Sequence, residues 1–293
     1  MSILILGSNG QLGGELVSAF GERAIGATRS ELDICDKEAV SRCLEVVRPS
    51  IVINSAAFTA VDAAESRTDE ARLVNATAPG YLAASCRHIG ARLIHFSTDY
   101  VFDGSKSSPY VESDPVCPIN AYGQTKLEGE QAVLAADPRN FVFRLSWVYS
   151  THGRNFALTM LWLAREGKPI RVVDDQIGSP TNAWHIADAV QRIAYSLVTS
   201  DDPGGLLHLS AGGQTSWAGF ARYLLQAALN DGAPAVELIT TADFPTPARR
   251  PAFSVLSNER VEKRFGVRLP EWQDQADRWA EGVMGEGVTG SRQ

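Results

Sequence analysis

The stretch Ile3-Leu4-Ile5-Leu6-Gly7-Ser8-Asn9-Gly10-Gln11-Leu12-Gly13 decides the fold. Its four apolar residues form a short continuous run, the pattern of a strand buried on both faces. The glycines follow as G-x-x-G-x-x-G, and a helical pattern opens behind them over Leu12–Phe20. Glycine allows the tight turn and lets the backbone approach a pyrophosphate closely. The helix N-terminus then offers free N–H groups and a partial positive charge to the anion. A glycine triplet alone also fits a plain strand-to-helix turn. Its place between a first strand and a first helix points to a dinucleotide site, with Gly7, Gly10, Gln11, Leu12 and Gly13 as cofactor contacts.

The same rhythm continues down the chain. Strands are expected at Ala24–Thr28, Ile51–Asn54, Arg92–Ser97, Phe141–Leu145 and Ile170–Val173. Helices are expected at Lys37–Val47, with Asp36 as N-cap, at Asp69–His88 with a break or kink at Pro79, at Ala121–Leu134 and at Asn155–Arg165. Alternating strands and helices predict an α/β fold, a doubly wound parallel sheet of the Rossmann type. The rhythm loosens after about residue 175. Pro203-Gly204-Gly205 and Pro245-Thr246-Pro247 read as loops, Trp217–Leu229 and Glu271–Gly282 as helices, and Gly285–Gln293 as a frayed tail. The expected division is a dinucleotide-binding domain over 1–150, with a return near 168–198, and a smaller C-terminal α/β substrate domain over 151–293.

Composition narrows the function classes. With 27 basic and 34 acidic residues the net charge is −7, which argues against a broad nucleic-acid surface. No apolar run is long enough to span a membrane, and the N-terminal run is too short for a signal peptide. Cys35, Cys43, Cys86 and Cys117 lack C-x-x-C spacing and read as free thiols in a reducing cytoplasm. His152 and His185 are isolated, so no zinc site is expected and no metal is assigned.

The second strand supplies the group that reads the adenosine ribose. It ends Ala27-Thr28-Arg29-Ser30 with no acid at its tip, and Arg29 suits a 2′-phosphate. NADPH is therefore expected over NADH, which stays open. Asp33 and Ile34 are placed to bracket the adenine. Farther on, Tyr122-Gly123-Gln124-Thr125-Lys126 is Y-x-x-x-K, which puts both side chains on one helical face. A lysine beside a phenol lowers its pKa, and the tuned tyrosine can pass a proton to a carbonyl oxygen as hydride arrives. Thr98, with Ser97 in reserve, ends the fourth strand and can donate a hydrogen bond to the substrate oxygen.

Together these residues resemble the extended short-chain dehydrogenase/reductase family and, within it, the dTDP-4-dehydrorhamnose reductases. Ser97-Thr98-Asp99-Tyr100-Val101-Phe102 and Pro245-Thr246-Pro247-Ala248-Arg249-Arg250-Pro251 carry the narrower resemblance. It implies NAD(P)H-dependent reduction of the C4 ketone of a dTDP-6-deoxy-4-keto sugar, with Thr98, Tyr122 and Lys126 as the catalytic triad. It further implies that Ala56, Ala57 and Asn75 surround the cofactor. Asp99, Val101, Phe102, Trp147, Arg249 and Arg250 are the implied substrate contacts. Tyr100 follows Thr98-Asp99 where related 4,6-dehydratases carry Glu, which argues against elimination chemistry. Some members form a dimer bridged by magnesium through glutamates. Glu15 matches the first, Trp184 stands in place of another, and Glu281 lies only near the third. One carboxylate makes no octahedral oxygen site, which puts that metal in doubt and leaves a monomer or homodimer. The remaining alternatives are a reductase of another nucleotide keto-sugar and a non-catalytic NADP-binding regulatory subunit.

Overall fold

The structure, a computed structural model, describes residues 2–197 and 202–285. The expected frayed tail lies outside them, except that Gly285 closes the last helix. The principal elements are β1 (Ile3–Leu6), α1 (Gln11–Phe20), β2 (Ala24–Ala27), α2 (Lys37–Val47), β3 (Ile51–Asn54), α3 (Ala78–Ile89), β4 (Arg92–Thr98), α4 (Ala121–Ala136) and β5 (Phe141–Leu145). They continue with α5 (Phe156–Arg165), α6 (Ala183–Ser196), β6 (Gly205–His208), α7 (Trp217–Leu229) and α8 (Trp272–Gly285).

The six strands form one parallel sheet in the order β6-β5-β4-β3-β1-β2. Strand β1 shows why both faces are covered. Side chains alternate across a sheet, so Ile3 and Ile5 pack with Leu16 and Phe20 of α1 and with Ile186, Val190 and Ile193 of α6. Leu4 and Leu6 point the other way, to Val40 and Leu44 of α2 and Leu82 and Ala83 of α3. The sheet is therefore doubly wound, as its strand pattern predicts. The strand order reverses beside β1, between β3 and β2. Ligands of such sheets bind at the carboxyl ends of the strands at this reversal.

Three elements differ from the sequence reading. The expected helix Asp69–His88 is one α-turn at Thr68–Arg72, a π-turn at Leu73–Thr77 and then α3. Pro79 has no N–H for the carbonyl four residues back, that of Asn75, and the wider π-turn absorbs the loss. Strand Ile170–Val173 leaves the central sheet and pairs in parallel with Val236–Ile239. Conversely, the segment read as a Pro-Gly-Gly loop runs on into β6 at the sheet edge. Gly204 has φ +77, and a Cβ there would lie 2.4 Å from the carbonyl oxygens of Pro138 and Asn140. Only glycine brings the chain that close to the start of β5. A second core gathers α5, α7 and α8 around Leu161, Phe220, Leu224, Ala276 and Trp279.

Candidate active site

A cleft of about 970 Å³ opens along the carboxyl ends of β1, β3 and β4. Its floor is the glycine loop. Gly7 has φ +74, and a Cβ there would meet Ala56 N at 2.8 Å. A Cβ on Gly13 would sit 2.0 Å from the Gly7 carbonyl oxygen, so α1 approaches β1 through bare backbone. Gly10 is the N-cap of α1, gives no side-chain cap, and no acidic side chain occupies the first turn. The first N–H groups of α1 are thus left to an external anion. Gln11 Nε2 donates to Arg154 O at 3.3 Å, which seats the loop before α5 across this end of the cleft. This cradle of backbone donors and missing side chains fits a dinucleotide pyrophosphate.

The rest of the cofactor end is uneven. Ala56, Ala57, Arg29, Asp33 and Ile34 all line the cleft. Arg29 pairs with Asp33 at 3.2 Å, and its side chain is 76% exposed, free to turn toward a phosphate. Asn75 does not reach the cleft. It is buried, accepts from Phe58 N at 2.8 Å and donates to Phe58 O at 3.1 Å and to Thr125 Oγ1 at 3.2 Å. The sequence reading placed it around the cofactor; here it acts one step away, clamping the loop that carries Ala56, Ala57 and Phe58.

Helix α4 carries the tyrosine and lysine and is held at two bare backbone contacts. A Cβ on Gly123 would lie 2.1 Å from Tyr100 O, and one on Gly129 would lie 2.0 Å from Asn75 O. Asn120 caps the helix by accepting from Gly123 N at 2.7 Å. Glu130 then receives Arg144 of β5 in a two-pronged pair at 2.7 and 2.8 Å, both side chains 3% exposed. Tyr122 and Lys126 are fixed between these anchors and both line the cleft.

Their electrostatics depart from the simple pairing. Lys126 Nζ donates to Phe96 O at 2.5 Å. Burial lowers its pKa to about 8, against a smaller opposing pull from Glu130. Burial also pushes the Tyr122 phenol up to about 12, with the Thr98 hydroxyl working the other way and the Asp99 charge adding to the rise. Desolvation outweighs the Thr98 hydrogen bond, and the lysine expected to lower the tyrosine is not among the groups that set its pKa. Tyr122 is thus held fully protonated, as a proton donor must be before the reaction.

Thr98 stands at the end of β4. Its Oγ1 accepts from Tyr100 N at 3.1 Å and donates to Asp99 Oδ1 at 3.0 Å. Asp99 is 2% exposed, and its other oxygen accepts from Ser146 Oγ at 3.0 Å. Val101 and Phe102, expected at the substrate, are wholly buried with Tyr110, Leu127 and Leu256. The 3-10 turn at Asp99–Val101 swings them out of the strand direction, so their side chains do not face the cleft.

The opposite wall is aromatic. Trp147 lines the cleft with φ +45, a left-handed backbone unusual for a bulky residue. Its ring stacks on Trp217 at 3.6 Å with 4° between the planes, and Phe156 backs Trp217 at 4.6 Å. The sequence reading missed Trp217 and Phe156, which sit at helix starts and carry no motif. Arg250 lines the cleft, but its guanidinium grips Asp62 at 2.8 and 3.0 Å. That contact holds Asp62 below the usual carboxylate range and ties the C-terminal loop to the helix Val61–Ser66. Arg249 is exposed, outside the cleft lining, and accepts Asn120 Nδ2 on its carbonyl at 2.8 Å. Glu15 faces His152 at 3.7 Å, while Trp184 lies under the Arg278 guanidinium at 3.5 Å. Among the described residues no group of three acidic, histidine or cysteine side chains could hold a metal. No helix there is long and apolar enough to cross a membrane.

Comparison with known proteins places this arrangement. The family model described as RmlD substrate binding domain matches residues 1–284. The dTDP-4-dehydrorhamnose reductase of Burkholderia thailandensis is 44% identical over 285 residues, covering 93% of this chain and 96% of that protein. Among solved structures, a dTDP-4-dehydrorhamnose reductase from Clostridium acetobutylicum superposes with a TM-score of 0.91 at 36% identity, over 97% of this chain and 100% of that one. A Bacillus anthracis dTDP-4-dehydrorhamnose reductase in complex with NADP gives 0.90 at 32% identity, over 95% and 99%. The chain belongs to the dTDP-4-dehydrorhamnose reductase family.

Proposed function

We propose that the chain reduces the C4 ketone of dTDP-6-deoxy-L-lyxo-4-hexulose to dTDP-L-rhamnose, with NADPH preferred over NADH. The observation that carries this reading is the meeting of Tyr122, Lys126 and Asp99 beside a dinucleotide cradle in one cleft, with Thr98 just behind the lining and bonded to both Asp99 and Tyr122. The cofactor supplies the hydride when bound. The first turn of α1 and Gly7, Gly10, Gln11, Leu12 and Gly13 hold its pyrophosphate, and Arg29 turns from Asp33 to the 2′-phosphate. Tyr122 donates its phenolic proton to the ketone oxygen as that oxygen becomes an alkoxide. Thr98 hydrogen-bonds the same oxygen by turning its one proton away from Asp99. Lys126, already directed by Phe96 O, has two further N–H donors for a ribose hydroxyl and for the phenolate that Tyr122 becomes. Trp147 and Trp217 wall the sugar, and Arg250, turning from Asp62 at the cleft lining, supplies positive charge that an anionic sugar nucleotide needs on an acidic protein.

The same reading takes residues 1–150, with a return over 168–198, as the cofactor side and most of 151–293 as the substrate side. It places the protein in the cytoplasm as a monomer or homodimer, without resident magnesium. The test follows NADPH absorbance with dTDP-4-keto-6-deoxyglucose and its 3,5-epimerase. Consumption that depends on the epimerase, with dTDP-L-rhamnose as product, is the expected result. Consumption without the epimerase would reassign the substrate stereochemistry, and none in either case would refute the assignment.

A further inference from the structure

Asp99 is buried at the active site, and among the described residues no cationic side chain forms an ion pair with it. Three separate segments converge on it. Thr98 Oγ1 of β4 donates to one oxygen at 3.0 Å, and Ser146 Oγ, next to Trp147, donates to the other at 3.0 Å. The hydroxyl of Ser254, just beyond the Arg249-Arg250 loop and 1% exposed, faces it as well. A buried carboxylate held by hydroxyls and a backbone N–H, with no cation, is costly unless those bonds serve a purpose. Here the donors belong to the proton-handling strand, to the left-handed turn that aims the wall tryptophan, and to the C-terminal substrate segment.

We propose that Asp99 is a positioning residue for the reduction, whose ionised carboxylate locks Ser146 and Ser254 so that the substrate-facing segments around Thr98 keep one geometry. The proposal rests on the reductase reading. Ionised, Asp99 accepts from Ser146 and Ser254 together, including when Thr98 turns its proton to the substrate oxygen. Protonated, it must itself donate from one oxygen, so one hydroxyl loses its acceptor and the turn before Trp147 is released. Burial raises the Asp99 pKa to about 6, and the Ser254, Ser146 and Thr98 hydroxyls each oppose that rise. The titratable groups that face it are the phenols of Tyr100 and Tyr122, and Arg250 lies beyond, against Tyr100. The switch therefore falls within the range where such an enzyme can be assayed.

The experiment measures kcat against pH at saturating NADPH and keto-sugar nucleotide for the wild type, Ser146→Ala and Asp99→Asn. The wild type loses rate as pH falls through about 6. Ser146→Ala removes a bond that favours the ionised form, so its acid limb moves to higher pH by about half a unit or more. Asp99→Asn has no carboxylate to titrate, so its acid limb disappears and its plateau rate drops about tenfold or more. An acid limb that stays in place in Ser146→Ala overturns the proposal, even if Asp99→Asn fails to fold. Absence of turnover in the wild type at every pH overturns the reductase reading and this proposal with it.

Discussion

Gly178→Ala tests the aromatic wall. Gly178 lies in the short strand Ile177–Gly178, which pairs antiparallel with Thr215–Ser216 and so sets Trp217 beside Trp147. A Cβ at Gly178 would stand 2.3 Å from Trp147 Cε2, against at least 3.4 Å for ordinary contact, so the indole must retreat by roughly 1 Å. It has nowhere to go. Trp217 covers it at 3.6 Å, Phe156 backs Trp217 at 4.6 Å, and the left-handed backbone at Trp147 resists sliding. Overpacking of this kind costs about 1–3 kcal/mol. A shift of about 1 Å in a substrate-positioning group costs about 100-fold in rate. The expected outcome is a kcat/KM for the keto-sugar nucleotide about 100-fold below wild type, a lowered Tm, and NADPH affinity within about twofold. Steady-state kinetics, thermal unfolding and fluorescence titration read the three quantities. A Gly178→Ala protein with wild-type kcat/KM and Tm would refute the claim that the glycine sets the wall.

Three more outcomes are expected. Tyr122→Phe removes only the proton donor, so turnover falls by roughly 10²–10⁴ while NADPH binding holds; normal turnover would remove the tyrosine from the chemistry. Arg29→Ala should weaken NADPH by up to about fivefold, the most an exposed charge pair supports, and NADH hardly at all; equal losses for both cofactors would dissociate Arg29 from the 2′-phosphate. Lys126→Met should abolish turnover yet raise the Tm of the cofactor-free protein, because burial is the larger influence on that ammonium. The sign follows from the lowered pKa: the charge opposes folding fully below about pH 8, and the opposition fades as pH climbs toward 10.5. The Tm gain should be largest below pH 8, and a loss of Tm there would contradict the burial argument.

Local pattern made much of this molecule readable. The strand β1, the glycine loop and the Tyr122–Lys126 spacing are set within a few residues, and the structure brings them to one cleft. What escaped the sequence depends on long-range approach. β6 was hidden because its glycines mark a loop locally, while their use is to pass the Pro138 and Asn140 carbonyls. Trp217 and Phe156 carry no motif, and only the pairing of two short strands brings Trp217 to the site. Resemblance places Asn75 and the pair Val101 and Phe102 at the ligands, but all three are buried outside the cleft lining, Asn75 on the Phe58 backbone and the other two in an apolar cluster. The Tyr122 pKa ran opposite to the expectation because spacing reports a neighbour and cannot report desolvation.

The return of the chain to its first sheet has a practical consequence. α6 packs on β1, and β6 forms an edge of the sheet, yet both come after Trp147 and Phe156 of the aromatic wall and before Trp217. A fragment ending at residue 150 would bare the β5 edge and the apolar side of α1, leaving an open template for intermolecular strand pairing. The cofactor half cannot be produced as a free-standing module by cutting there. The six-stranded sheet is complete only with the chain through His208, so the cofactor half and the substrate half share one folded unit.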